Sequence, residues 1–196
     1  MSPLPRGRHG LSREQVEGSQ RMRLVRAMCE VMAESGYART SVADILRRAR
    51  VSRETFYELF DSKEDCFMSA FEEAYGHLLD AATPSGGGAP IDRFSQLLRD
   101  YLGALAADPA AARVFLVEVY AAEPSALARR QELQQGLVQS VAVLTGATRK
   151  QDRFAIDALL AALVQMVTAR VAVGDVDGLR KLHTPMVALA RRLGLG

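Results

Sequence analysis

"TSVADILRRARVSRETFYELFDSKE", residues 40–64, is the stretch whose reading decides the fold. Hydroxyl residues precede two short runs of helical apolar spacing. Thr40 or Ser41 can cap the first, and Asp44 follows Ser41 by three, the spacing of a capping box, while Val42, Ile45 and Leu46 face inward. Ala49–Val51 reads as a turn, Ser52 caps the second run, and Asp61 with Glu64 repeats the capping-box spacing at the start of a further helix. Two short helices across a tight turn form a helix-turn-helix. On the second of them, residues 52–59, Val51, Phe56 and Phe60 point to a small core, which leaves Ser52, Arg53, Glu54, Thr55, Tyr57 and Glu58 outside.

Outward from this stretch the periodicity is helical almost everywhere, and no run alternates as a strand does. The expected fold is all-α: a three-helix helix-turn-helix domain followed by a larger helical bundle, about nine helices in total. Helices are expected near 14–35, 41–48, 52–59 and 62–81, then 91–107, 109–121, 125–145, 150–173 and 176–193. On the first, Met22, Val25, Cys29 and Met32 recur at three and four as a buried stripe, and "SGY" at 35–37 ends it. "TPSGGGAP", residues 83–90, cannot continue a helix and reads as a surface linker. The domains expected are a basic arm over 1–20 running into the first helix, the helix-turn-helix domain over 14–65 and a larger helical domain over 66–196.

Charge is uneven. Residues 1–60 hold eleven Arg and no Lys against seven acids, 11 − 7 = +4, and the rest of the chain carries 14 − 16 = −2. A basic front suggests an anionic partner. Cys29 and Cys66 both sit on apolar faces, so a reduced, cytoplasmic setting is expected, with no disulfide framework and no CxxC metal site. No signal peptide and no uninterrupted membrane-spanning run is expected, so a membrane partner is not.

A helix built like 52–59 suits a major groove. Its N-terminal turn offers N–H groups to phosphate, Arg53 can fork onto guanine, and Thr55 or Tyr57 can reach phosphate or a thymine methyl. Lys63 is placed as a backbone clamp, and Arg6 and Arg8 on the arm could enter an adjacent minor groove.

Residues 21–67 resemble the N-terminal domain of tetracycline-repressor-type (TetR family) transcriptional regulators, through "GY" after the first helix, "TSVADI", "VSRETFYELF" and "SKE". The resemblance implies that Thr40, Ser52, Arg53, Thr55, Tyr57 and Lys63 lie where such proteins meet operator DNA, with Tyr57 and Lys63 usually on phosphates; Ser41 and Glu54 are expected DNA contacts beside them. Two departures stand out. Arg50 occupies a turn position where glycine is common, and Glu54 replaces a small residue, so it either accepts from a cytosine amino group or points away. The function implied is a sequence-specific regulator, a repressor released from a palindromic double-stranded operator by a small-molecule effector.

In the C-terminal part, helix 150–173 is apolar on more than one side, and Leu179, Leu182, Met186, Leu189 and Leu193 recur along the last helix. With Leu163 and Val167 these are expected to form a homodimer interface, a four-helix arrangement. Tyr101, Phe115, Glu118, Tyr120, Gln165, Met166 and Arg170 are sparse polar and aromatic groups among apolar residues and are candidate effector contacts. No nucleotide, hydrolase or zincin motif occurs, so neither an enzyme nor a cofactor is expected. The alternatives are a helical protein-interaction adaptor or a metal-binding helical enzyme built around Glu73 and His77.

Overall fold

The computed structural model describes residues 12–81 and 88–195, apart from the side chains of 77–81; the expected arm positions Arg6 and Arg8, and the side chain of His77, lie outside this range. Every regular element among the described residues is helical. α1 (Arg13–Ser35) starts from a reciprocal box in which Ser12 Oγ accepts from the Gln15 N–H and Gln15 accepts from the Ser12 N–H. Its buried face is Leu24, Met28 and Met32, flanked by Val25, Ala27 and Val31. Met22 is 62% exposed, which corrects the expected stripe. Residues two apart on a helix lie about 200° apart, so Met22 points away from the face that Leu24 buries.

α2 (Val42–Ala49) is capped by Ser41 rather than Thr40. The Ser41 hydroxyl accepts from the Asp44 N–H at 3.2 Å and the Asp44 carboxylate accepts from the Ser41 N–H at 3.1 Å. The helix ends at Arg50, the single non-glycine residue at positive φ among the described residues (φ 54°, ψ 50°). α3 (Arg53–Leu59) starts at Ser52, whose Oγ accepts from the Thr55 N–H at 3.0 Å. α4 (Lys63–Ala81) is capped one residue later than expected. Ser62, not Asp61, accepts from the third N–H of the helix, at 3.1 Å from Asp65, and the Asp65 carboxylate accepts from the Asp61 N–H.

α5 (Pro90–Ala107), α6 (Pro109–Leu116), α7 (Pro124–Thr145), α8 (Lys150–Val173), α9 (Val176–Lys181) and α10 (His183–Arg192) make up the rest. Pro90, Pro109 and Pro124 open their helices at the position where a missing N–H costs nothing. Gly146 and Gly174 close α7 and α8 in the left-handed conformation. Two expected helices are divided. Residues 109–121 split into α6 and a 3-10 turn, Glu118–Ala121. Residues 176–193 break at Leu182, because Pro185 has no N–H to give the Lys181 carbonyl.

Two apolar cores result. One gathers α1–α4 around Phe56, Phe60, Phe67 and Phe71 and takes in Val114, Val119 and Ala126 from beyond the linker. The other fills the bundle with Phe94, Leu98, Leu102, Ile156, Leu160, Val167 and their neighbours. Phe115 packs on both and stacks on Phe71, centroid to centroid 5.0 Å. α8 is long and apolar enough to cross a membrane by length and composition, against expectation, but one side of it supplies the bundle core.

Left-handed backbone at a residue with a Cβ costs about 1 kcal/mol. Arg50→Gly is therefore expected to stabilise the protein by about 1 kcal/mol in urea denaturation, with an unchanged circular dichroism spectrum.

Candidate nucleic-acid interface

The outward face of α3 is set by what its inward face buries. Phe56 is fully buried and Phe60 nearly so, with ring centroids 5.6 Å apart, and this fixes the rotation of the seven-residue helix. Arginines on α1 hold it from behind. The Arg21 guanidinium lies over the Phe60 ring at 4.5 Å and donates to the Leu59 carbonyl at 3.1 Å and to Ser69 Oγ at 2.7 Å. Arg23 donates to the carbonyls of Ala49 and Arg50, the exposed C-terminal end of α2. Arg48 joins α2 to α1 through Glu30 and Glu34. Much of the basic excess read from the N-terminal sequence is thus spent inside the domain.

What remains outside is compact. Ser52, Arg53, Glu54, Tyr57 and Glu58 are exposed, and Thr55 is half-buried with its Oγ 2.9 Å from Ser52 Oγ. Arg53 stacks on the Tyr57 ring at 5.5 Å and reaches its hydroxyl at 3.5 Å. These two residues, four apart, therefore form one cationic and aromatic unit on the open face. Ser41 is exposed at the head of α2, and its Oγ is 2.5 Å from Asp44 Oδ2.

Two expected contacts stand apart from this face. Thr40 is buried, and its hydroxyl donates to the Gly36 carbonyl at 2.9 Å. Lys63 is half-buried over the Tyr37 ring at 4.0 Å and donates to the carbonyls of Tyr37 and Thr40 at 3.1 and 3.2 Å. Its first role is to tie α4 to the turn before α2, with one of three ammonium donors left over.

Residues 24–70 match the family model of bacterial regulatory proteins of the tetR family. A solved TetR-like regulator from Rhodococcus sp. RHA1 superposes with TM-score 0.72 at 23% identity, over 93% of this chain and 97% of that one. The N-terminal domain is thus similar to that of the tetR family, and the overall fold is shared with the solved regulator. The fatty acid degradation regulator FadR of Bacillus halodurans shares the fold at TM-score 0.76 and 24% identity, over 87% of this chain and 93% of its own. Among curated relatives, the transcriptional regulator AcuR of Cereibacter sphaeroides is 35% identical over 79 residues, 39% of this chain and 36% of AcuR. The fatty acid metabolism regulator protein of Bacillus subtilis is 37% identical over 59 residues, 30% of each chain. The chain thus matches about a third of the length of these curated relatives.

Beyond α3, the expected effector residues do not converge. Glu118 is buried and accepts from the Tyr37 N–H at 2.8 Å and from Arg113 Nε at 3.0 Å, so it joins the bundle to the turn after α1. Phe115 belongs to the packing between the cores, Tyr120 is 58% exposed, Gln165 is exposed, and Met166 and Arg170 are bonded to each other by Arg170 Nη1 donating to the Met166 carbonyl. Tyr101 is enclosed enough that burial pushes its phenol well above the ordinary range, an effect that nearby Arg130 opposes. The side chains of Tyr120, Leu127, Arg130, Gln134, Val138 and Asp157 instead line a cleft of about 660 Å³ along α7 and α8, which spacing alone did not find.

The expected dimer seam also needs correction. Leu163, Val167, Leu179, Leu182 and Met186 are all buried in the protomer's own core. A residue already covered on that side cannot also face a partner. Only Leu189 and Leu193, 38% and 39% exposed, face outward, beside the exposed Phe154 and Val173 of α8. Among the described residues no group of three or more ligating side chains is gathered as a metal site would require.

The Asp44 carboxyl is held at about 2, first by the Ser41 hydroxyl and then by Arg47. A depressed folded-state value means that this cap contributes its stability above the ordinary carboxyl range and loses it as pH falls toward 2. Carboxyl-carbon NMR titration should give an Asp44 midpoint near 2 in the wild type. In Ser41→Ala the midpoint should move up toward the ordinary value.

Proposed function

We propose that this chain is a homodimeric, sequence-specific DNA-binding transcriptional regulator, and that a small molecule bound in its helical bundle releases it from a palindromic double-stranded operator. The observation that carries the reading is the open face of α3, where Arg53 and Tyr57 project from a helix whose other side is locked into a family-typical scaffold. In this reading Arg53 reads guanine in the major groove, and Ser41, Ser52, Thr55 and Tyr57 take phosphates. Glu54 makes no ion pair among the described residues, which favours a role as acceptor for a cytosine amino group. Lys63 and the arm residues Arg6 and Arg8 add backbone contacts in this reading. We assign DNA binding to residues 14–65, with the arm over 1–20 ahead of it, and effector sensing and dimerisation to residues 66–196.

Dimerisation is supported by α8. Only 28% of its most apolar stretch is buried, and the uncovered side presents Phe154, Ala158, Ala161, Ala169 and Val173. Small residues punctuated by Phe154 suit close approach of the same helix from a second copy, with Leu189 and Leu193 of α10 alongside. Two recognition helices related by a twofold axis would read two half-sites.

Release by an effector is a population shift between spacings of the two reading heads. The route available in each protomer is short. Arg113 donates to the Ala172 carbonyl at the end of α8 and to Glu118, and Glu118 accepts from the N–H of Tyr37. A FadR structure from Bacillus subtilis holds stearoyl-CoA and shares this fold at TM-score 0.71 and 22% identity, over 86% of this chain. It supports a small-molecule ligand for a regulator of this fold. A cytoplasmic regulator with no catalytic role fits the same picture.

Selection from random duplex DNA should recover a palindrome. On that duplex Arg53→Ala is expected to cost about 1–3 kcal/mol and to relax preference at one base pair in each half-site. Affinity should fall steeply as salt rises, and recovery of no palindrome would contradict the reading. Sedimentation should give a dimer at micromolar wild-type protein, while Phe154→Glu combined with Leu189→Glu should give a folded monomer.

A further inference from the structure

Arg130 is the one cation among the described residues that is buried as a whole residue, at 7% exposure, and no carboxylate stands within ion-pair distance of it. A buried N–H donor without a partner is unfavourable, whereas the two Nη groups of Arg130 keep contact with solvent and are free to donate to a ligand there. Arg93 and Arg170 also have an Nε atom that is buried and unpartnered, but each gives another guanidinium N–H to a carbonyl, Leu144 at 2.8 Å and Met166 at 3.1 Å. Arg130 has no such bond. Its Nε is unpartnered, and its nearest aromatic contact is the Tyr120 ring at 4.9 Å. A ring stacked on the face of a guanidinium leaves the in-plane fork of N–H donors free.

From the position of that fork we infer that the cleft along α7 and α8 binds an organic monocarboxylate, with Arg130 as the group that recognises the carboxylate. The inference rests on the effector-responsive reading above and names the chemical class of the effector. The cleft holds about 660 Å³, within the range of small-molecule sites. Its walls combine apolar Leu127 and Val138 with the amides of Gln131, Gln134, Gln135 and Gln139, which suits a short carbon chain or ring bearing further hydrogen-bonding groups. Asp157 lines the same cleft and repels any anion, so the favourable contact for the carboxylate is the Arg130 fork. A planar carboxylate also matches the guanidinium fork in two parallel bonds.

The test uses the full-length protein and isothermal titration with propionate, hexanoate and benzoate, with the primary amide of each and with inorganic phosphate. At least one carboxylate should bind once per protomer, and its amide should bind at least about thirtyfold more weakly. Arg130→Gln should show the same loss, and Arg130→Lys an intermediate one. If Arg130→Gln fails to fold, the acid against amide comparison in the wild type and the lysine variant decide. Binding of none of the three acids, equal binding of acid and amide, preference for phosphate, or unchanged binding by a folded Arg130→Gln would each overturn the inference. Fluorescence anisotropy on the selected duplex separates the two readings. Operator binding with no acid bound contradicts the carboxylate site alone, and acid bound with no change in operator affinity contradicts the regulatory reading alone.

Discussion

A helix of seven residues does not persist in water, and the face proposed to meet DNA depends on the burial of Phe56 and Phe60 behind it. Those rings fill the space between α1 and α4, and the core they join continues through Phe67 and Phe71. Because side chains on a helix are locked in rotation to one another, seating Phe56 also aims Arg53 and Tyr57. The Arg21 and Arg23 clamps then satisfy carbonyls at the ends of α3 and α2 that the short helices cannot satisfy themselves. Arg50 in the left-handed conformation is tolerated in the same place, with its carbonyl held by Arg23. Rigidity of α3 is a tertiary property.

The same core reaches across the linker. Val114, Val119 and Ala126 belong to it, and Phe115 stacks on Phe71 and on Tyr75 at 5.0 and 5.6 Å. Glu118 adds a polar tie to the backbone of Tyr37, next to Gly36, where a Cβ would stand 3.3 Å from its carboxylate. Movement of α6 relative to the bundle therefore carries the turn before α2 with it. Under the proposed function, a ligand that changes how α8 meets α6 would have a mechanical hold on α3 without touching it.

Local signals were legible in the sequence and distant ones were not. Ser41, Ser52, Gly146 and Gly174 end or begin helices through contacts made within three or four residues, and they stand where spacing places them. Ser62 displaced Asp61 because both residues can cap and only the backbone path decides which one does. Pro185 is the local signal that the expected 176–193 helix overlooked. The apolar pattern of the last helices was real, but a stripe at three and four says only that a face is buried, not whether its own chain or a second one covers it. Leu163, Val167, Leu179, Leu182 and Met186 fell on the intramolecular side. Arg23 and Arg130 were missed for a related reason, since their meaning lies in partners gained or lacking across dozens of residues.

The central claim is that the exposed side of α3 meets duplex DNA. Backbone amide chemical-shift mapping of the full-length protein against a selected duplex measures this directly. The largest perturbations are expected at Ser41 and from Ser52 to Tyr57, with the buried amides of α8 little changed. Perturbations confined to α5–α10, with residues 52–57 unmoved at saturation, would contradict it.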